Sequence, residues 1–250
     1  MFYILVSLII FIVSFIFAML GLGGGTVYVP VLKWAGLDLK SVAIPLGLLL
    51  NGLNTLLALI PYSRKKLVDW KGGMAMAISA LIFAPIGAYT TQFVPVNILT
   101  IIFAGVVLLA AARMIWSSQQ EEPEGMMSLV KRSLIGIGVG AFAGFTGGLL
   151  GIGGGFIIAP ILMWMGYKTK NAAATTAFVV TFSSITGYLG HTAEAASIDW
   201  PITIALVIAV ILGSQLGAMF MSGKAKPKYI KFLYALMLIG IAIKLIFDVI

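Results

Sequence analysis

Two clusters of glycine, Gly21/Gly23/Gly24/Gly25 and Gly151/Gly153/Gly154/Gly155, are the residues of this chain whose type and spacing could do chemistry. Each precedes a short apolar piece, 26–36 or 156–166, beginning near Thr26 or Phe156. Glycine permits the backbone dihedrals of a sharp reversal and lets another backbone or a ligand come close. If the short pieces are helices, their first N–H groups lack intrahelical partners and lie at the end of a dipole that favours negative charge. The chemistry on offer is non-covalent binding of a small anion by Gly23, Gly24, Gly25 and Thr26 on one side and Gly153, Gly154, Gly155 and Phe156 on the other. The plainer alternative is that these glycines only let segments pack, as the series Gly136, Gly140, Gly144, Gly148 does at small-xxx-small spacing. Neither cluster is a nucleotide loop, because no Gly-Lys-Ser/Thr follows. Pro30 and Pro160, about five residues after each triplet, read as kinks.

Polar side chains inside the apolar runs are the second set. Asn51 and Asn54 stand three apart and so share a helical face. Thr175, Thr176, Thr181, Ser183, Ser184 and Thr186 occupy the comparable later run, where Thr176 and Ser183 are the candidate contacts. A carboxamide without partners is costly in hydrocarbon. These residues therefore face the bundle, either bonding helix to helix or lining a substrate path, and Gln215 is a weaker candidate of the same kind. No Asp or Glu lies in the middle of an apolar run. That argues against a cation substrate or a carboxylate proton relay. The single histidine, His191, reads as a loop residue near Glu194 and Asp199, with a pH-sensitive gate as the alternative. One histidine makes a poor metal site. With no cysteine and no nucleophile–base pair, the chain is expected to be no enzyme, with no catalytic residue, metal or cofactor.

The elements that must position these residues follow from composition. The 250 residues are 61% hydrophobic and 10% charged, with a mean hydropathy of +1.11. A soluble domain is roughly 45–50% apolar and about 25% charged. An all-α integral membrane protein is the expectation. Apolar runs at about 2–20, 42–61, 72–93, 96–116, 133–150, 171–190, 200–222 and 229–249 approach the ~20 residues that cross a ~30 Å hydrocarbon core. The two pieces after the glycines would rise only about 16 Å and are expected to be half-helices. The net charge of +8 sits in short loops, as topology signals and contacts to anionic headgroups rather than for nucleic acid.

A shift of 130 residues lays the chain on itself. Gly-Leu-Gly-Gly-Gly at 21–25 meets Gly-Ile-Gly-Gly-Gly at 151–155, and Pro30, Leu32, Trp34 and Gly36 meet Pro160, Leu162, Trp164 and Gly166. The same register pairs Asp69-Trp70 with Asp199-Trp200, each read as anchoring a helix start. The chain is thus read as two membrane repeats, 1–116 and 131–250, joined by a hydrophilic linker, 117–130. The first run reads as a retained span rather than a signal peptide, since it has an internal copy.

Suppose each glycine-linked pair leaves the chain on the face where it entered. One face then holds Arg64, Lys65, Lys66, Lys71, Arg113, Lys131, Arg132, Lys168, Lys170, Lys224, Lys226, Lys228 and Lys231, and the other Lys33, Lys40 and Lys244. This thirteen-to-three division predicts inverted repeats, a cytoplasmic linker and both termini outside. About eight full spans plus two half-helices would result, an arrangement typical of secondary transporters.

The duplicated glycine motifs, Gly21–Pro30 and Gly151–Pro160, resemble those of the TauE/SafE family, described as sulfite and organosulfonate exporters, and the resemblance covers essentially the whole chain. It implies a multi-pass permease in the cytoplasmic membrane for sulfite, sulfoacetate or a related sulfur oxyanion. The expected partners are that small anion and the lipid bilayer, with no nucleic acid, and a homodimer is the assembly allowed for. A passive anion channel, or a permease for another small organic anion, is the competing expectation.

Overall fold

The computed structural model describes residues 2–118, 123, 125–191 and 200–223, together with 232, 236, 239–241, 243 and 247. Nine helices are named among them: α1 (Phe2–Leu20), α2 (Gly25–Trp34), α3 (Ile44–Arg64), α4 (Trp70–Thr90), α5 (Val96–Ser118), α6 (Leu129–Leu150), α7 (Gly155–Trp164), α8 (Thr169–His191) and α9 (Trp200–Ser222). A π-helical turn at Leu39–Ala43 leads into α3, and a 3-10 turn at Thr91–Phe93 follows α4. Five helical stretches, Leu39–Arg64, Trp70–Phe93, Leu129–Leu150, Thr169–His191 and Trp200–Ser222, are long and apolar enough to cross a membrane. The run at 229–249, with Lys244, falls largely outside the described residues, as do residues 119–122 and 124 of the linker, Glu194 and Asp199.

The 130-residue offset carries over to the helices. α2 and α7 have the same bounds under it, and α4 and α9 both open on a tryptophan. Asp69 starts α4 as expected, its Oδ1 accepting the Gly72 N–H at 2.9 Å. α4 turns mostly small residues inward and large ones outward, the reverse of a water-soluble helix, and α9 also sets large ones outward while burying Ile202, Leu206 and Val210. Gly72, Gly73, Ala77, Ala80, Ala84, Gly87 and Ala88 are buried on α4, whereas Met74, Ile78, Ile82 and Ile86 are exposed. Their counterparts on α9, Ile204, Ile208, Leu212 and Leu216, are exposed too. Lipid solvates such side chains as well as a core does, so close backbone packing is what holds the helices together. Gly140, Gly144 and Gly148 of α6 lie against the backbone of α4 at Met76, Ala80 and Ala84, so that series is packing, as expected.

These contacts also give directions. α6 runs parallel to α4, and α9 parallel to α1, where Gly213 and Gly217 meet Phe11 and Phe15. α3 and α8 are antiparallel, since Asn51 bonds Ser184 and Thr55 bonds Thr181. α1 runs with α3, through Asn54 to Ser14 and Tyr62 to Ala18. α8 runs with α4, through Gly73 beside Thr175 and Gly190 beside Ala88. α2 runs against α3, and α7 against α8. Each short helix therefore doubles back along the helix before its glycine break.

One end of the bundle gathers the end of α3, the starts of α4, α6 and α8, and the end of α9. It carries Arg64, Lys65, Lys66, Lys71, Lys131, Arg132, Lys168 and Lys170. Arg132 pairs there with Asp69, and Lys170 donates to the Gly223 carbonyl. The opposite end carries Lys33 and Lys40, the latter bonded to the Gln92 carbonyl.

Candidate functional site

The two glycine breaks meet each other. A Cβ placed on Gly25 would stand 2.6 Å from the Gly151 carbonyl oxygen, and one on Gly155 would stand 2.5 Å from the Leu22 carbonyl oxygen. Only hydrogen on both α-carbons allows this crossing of two backbones. The Gly25 N–H, the first orphan donor of α2, is taken by Asn51 Oδ1 at 2.8 Å. The Asn51 Nδ2 then donates to Ser184 Oγ, also at 2.8 Å. One carboxamide thus ties the first break to α3 and, across the halves, to α8. The Ser183 hydroxyl donates to the Gly153 carbonyl at 2.8 Å, so the second break is held by the adjoining residue of the same helix.

A second layer lies next to the first. Asn54 Nδ2 donates to the Tyr28 hydroxyl at 2.6 Å and reaches the Ser14 carbonyl, while Ser14 Oγ shares a hydrogen with Tyr28. Thr181 donates to Thr55 across the antiparallel pair. All of these side chains are buried, and none is an acid or a base. Three buried oxygen atoms in this set of polar residues have no hydrogen-bond partner: Thr26 Oγ1, Asn54 Oδ1 and Thr176 Oγ1. In a protein interior such groups are the exception.

Of the residues singled out in sequence, Gly23, Gly25, Asn51, Gly153, Gly155 and Ser183 come together, with Asn54 one shell away. Gly24 abuts the Tyr28 ring, whereas Gly154 adopts φ +79° beside the Ala143 carbonyl. Phe156 is buried in the first turn of α7. Thr176 is buried two turns from Ser183 on α8. Asn51 turns out to bond helix to helix, at the break itself. Sequence reasoning missed Tyr28 and Ser14. The available signal was a hydroxyl one turn after the first triplet and a serine, one of two, in the apolar α1.

His191 requires a correction. It is not a loop residue but the buried last residue of α8, and its Nε2 lies 3.0 Å from the Gly148 carbonyl. A carbonyl only accepts, so Nε2 carries the hydrogen. α6 ends inside the protein and leaves orphan carbonyls; His191 takes one and the Thr91 hydroxyl takes that of Leu149. Tyr62 does the same for α1, its one hydrogen shared between the carbonyls of Ala18 and Met19. Gln215 Nε2 likewise spends a hydrogen on the Leu57 carbonyl, joining α9 to α3.

At the basic end, Asp69 accepts from Arg132 and from the Tyr167 hydroxyl. Partial burial pushes its carboxyl up, but the Gly72 N–H, Tyr167 and Arg132 outweigh this and hold it below the usual carboxylate range. Burial and the neighbouring carboxylate push the Tyr167 phenol up to about 12. Among the described residues no group of three or more metal-ligating side chains occurs.

Comparison with known proteins agrees with this architecture. The family model described as "Sulfite exporter TauE/SafE" matches residues 6–245. The chain is 30% identical over 257 residues to the probable membrane transporter protein YunE of Bacillus subtilis, covering 92% of each. It is 27% identical over 235 residues to a probable membrane transporter protein of Methanocaldococcus jannaschii, covering 88% of this chain and 86% of that one. A 45-residue stretch is 49% identical to the sulfite exporter TauE/SafE family protein 3 of Arabidopsis thaliana. No solved structure matches at a significant level. Glycine breaks at a 130-residue interval, apolar spans and a family match over nearly the whole length lead to one assignment: the chain belongs to the TauE/SafE sulfite exporter family of membrane transporters.

Proposed function

We propose that this protein is a secondary transporter that exports a small sulfur oxyanion, sulfite or an organosulfonate such as sulfoacetate, across the cytoplasmic membrane by alternating access. The observation that carries the reading is the crossing of Gly25 with Gly151 and of Gly155 with Leu22. It brings the N-terminal ends of two half-helices into one buried, hydroxyl- and amide-lined region without a carboxylate. Such ends favour an anion through their N–H groups and dipoles. Gly23, Gly24, Gly25, Thr26, Asn51, Asn54, Gly153, Gly154, Gly155, Phe156, Thr176 and Ser183 are the proposed substrate contacts. Asn51 and Ser183, bonded within the protein in this closed arrangement, would exchange those bonds for the anion when the halves part. The unpartnered Thr26 and Thr176 hydroxyls supply donors directly.

The proposal includes two inverted repeats with about eight spans. It is supported by the antiparallel run of α3 and its counterpart α8, and by the reversal of each short helix. A two-fold axis perpendicular to α3 and α8 would lie in the membrane plane. The basic end then faces the cytoplasm with the linker, and the N-terminus faces outward. Contact between the breaks favours a gated transporter over an open channel.

The test is flux in proteoliposomes of purified protein offered sulfite, sulfoacetate, sulfate and chloride, with counterflow measured alongside. Saturable flux of a sulfur oxyanion with counterflow, lost in correctly folded Gly24→Leu and Gly154→Leu, is expected. Flux indifferent to both substitutions would sink the site, and linear flux without counterflow would make the protein a channel.

A further inference from the structure

At the basic end, a groove of about 240 Å³ opens between the ends of α3 and α9, away from the central crossing. Arg64 and Lys65 stand on its rim with Ser222 on α9, Gln215 lines it two turns deeper on α9, and Ile60 and Met219 form its apolar wall. We propose that this groove binds the headgroup of an anionic phospholipid.

Depth is the first argument. Arg64 is the last residue of α3 and Ser222 the last of α9, so the rim lies where spanning helices leave the hydrocarbon. Ile60 and Met219, one turn deeper, are 43% and 59% exposed. Acyl chain against the wall and phosphate at the rim is the arrangement this gradient suits.

Charge is the second. Among the described residues the one ion pair is Arg132–Asp69, and no described acid pairs with Arg64 or Lys65. The sequence after Gly223 adds Lys224, Lys226 and Lys228 before any acid. The donors left are the two cations and the second hydrogen of Gln215 Nε2, whose first goes to Leu57. Ser222 Oγ donates to the Met219 carbonyl, which leaves its lone pairs for a hydroxylated headgroup. A phosphodiester with a polyol head matches this set; a zwitterionic choline head does not.

The third argument is a contrast within the fold. Under the 130-residue offset the groove corresponds to the meeting of α8 with α4 at the opposite end. There Gly190 lies directly against Pro85 and Ala88, and Lys40 at that end is already bonded to the Gln92 carbonyl. Among the described residues the groove thus has no equivalent there at the level of Ile60. Because α3 and α9 come from different halves of the chain, a headgroup held by both ties the halves together there.

The experiment uses the full-length protein released from nanodiscs, with retained lipid counted by native mass spectrometry. Phosphatidylglycerol is the probe, phosphatidylcholine the comparison and sulfate the soluble oxyanion. One phosphatidylglycerol should be retained in preference to phosphatidylcholine and survive millimolar sulfate. Arg64→Gln with Lys65→Gln should weaken retention roughly thirtyfold, from about fivefold per cation at an anionic surface. Lys131→Gln with Lys168→Gln, which removes equal charge at the same end, should leave it within about twofold. Met219→Trp, which fills the groove and keeps every charge, should also lose the lipid, and it decides the matter if the first pair does not fold. Equal loss in both charge pairs would overturn the proposal in favour of diffuse attraction. Displacement by sulfate would overturn it in favour of a soluble-anion site. Neither reading depends on flux, so failure here leaves the central transport site standing.

Discussion

The two glycine breaks are close copies in sequence and unequal in what supports them. The first is held by Asn51 and backed by Asn54, Tyr28 and Ser14. Under the 130-residue offset these correspond to Thr181, Ser184, Ile158 and Gly144, and the second break is held by the Ser183 hydroxyl on Gly153. The backbones differ as well. Gly24 has φ −106° where Gly154 has φ +79°. The two breaks share the part that must be identical for two backbone segments to cross, the missing Cβ, and differ in the side chains around it. The first half supplies amide bonding that reaches across to α8; the second supplies hydroxyls that receive it.

Gly25→Ala and Gly155→Ala test the shared part and should have the largest effects. Each new methyl meets the other break's backbone, which cannot rotate away as a side chain would. Both should cost about 3 kcal/mol or more of stability and abolish transport, seen as a collapsed thermal midpoint and no flux. The two losses should be alike because the contact is reciprocal. A tolerated Gly155→Ala beside a ruinous Gly25→Ala would show that only the first break is tightly held.

Asn51→Ala tests the unshared part. It strands the Gly25 N–H and the Ser184 hydroxyl, at about 1–3 kcal/mol for a buried group left unsatisfied. A drop of roughly 2 kcal/mol in stability and at least tenfold in flux is expected. Thr181→Ala at the corresponding position should cost less than half as much, because the one hydrogen of the Thr181 hydroxyl is shared between Thr55 and the Ala177 carbonyl of its own helix. Equal costs would erase the asymmetry.

The shared part was legible in sequence and the unshared part only in outline. A Gly-x-Gly-Gly-Gly motif repeated at 130 residues, with proline and tryptophan at fixed distances, marks the breaks without any structure. Helix positions followed from apolar run lengths because a bilayer sets one scale for all of them. Asn51 and Asn54 stood out as amides in hydrocarbon, but nothing local told that one meets glycine and the other tyrosine; those pairings join residues 26 apart in sequence. His191 was misread because α8 continues past the apolar run to its buried cap on Gly148. The Asp69–Arg132–Tyr167 cluster joins three separate loops and helix starts, and no spacing rule connects them.

Acid separates the breaks from the basic end. The side chains bonded to the breaks, Asn51 and Ser183, do not titrate, so the crossing should respond little between neutral and acidic pH. Asp69 behaves otherwise. Its folded carboxyl sits below the ordinary range, so its contribution is fully present above the unfolded value and is lost as pH falls through the folded one. The thermal midpoint of wild type should decline there more steeply than that of Asp69→Asn, which starts lower and stays flatter. Parallel declines would mean that other carboxylates carry the effect.

Ser183→Ala should be the gentlest change. Interhelical hydrogen bonds in membranes average about 0.6 kcal/mol, and the Gly153 carbonyl, with two lone pairs, tolerates losing a donor better than an N–H tolerates losing its acceptor. Stability should fall by only about 0.5 kcal/mol, within two or three degrees of thermal midpoint. Flux is the sharper readout. If the hydroxyl leaves Gly153 to meet the anion when the halves part, the apparent affinity for sulfite should weaken severalfold while the maximal rate stays within about twofold. If Ser183 only braces the break, affinity will be unchanged. The second break would then contribute backbone alone, and the difference between the two would be complete.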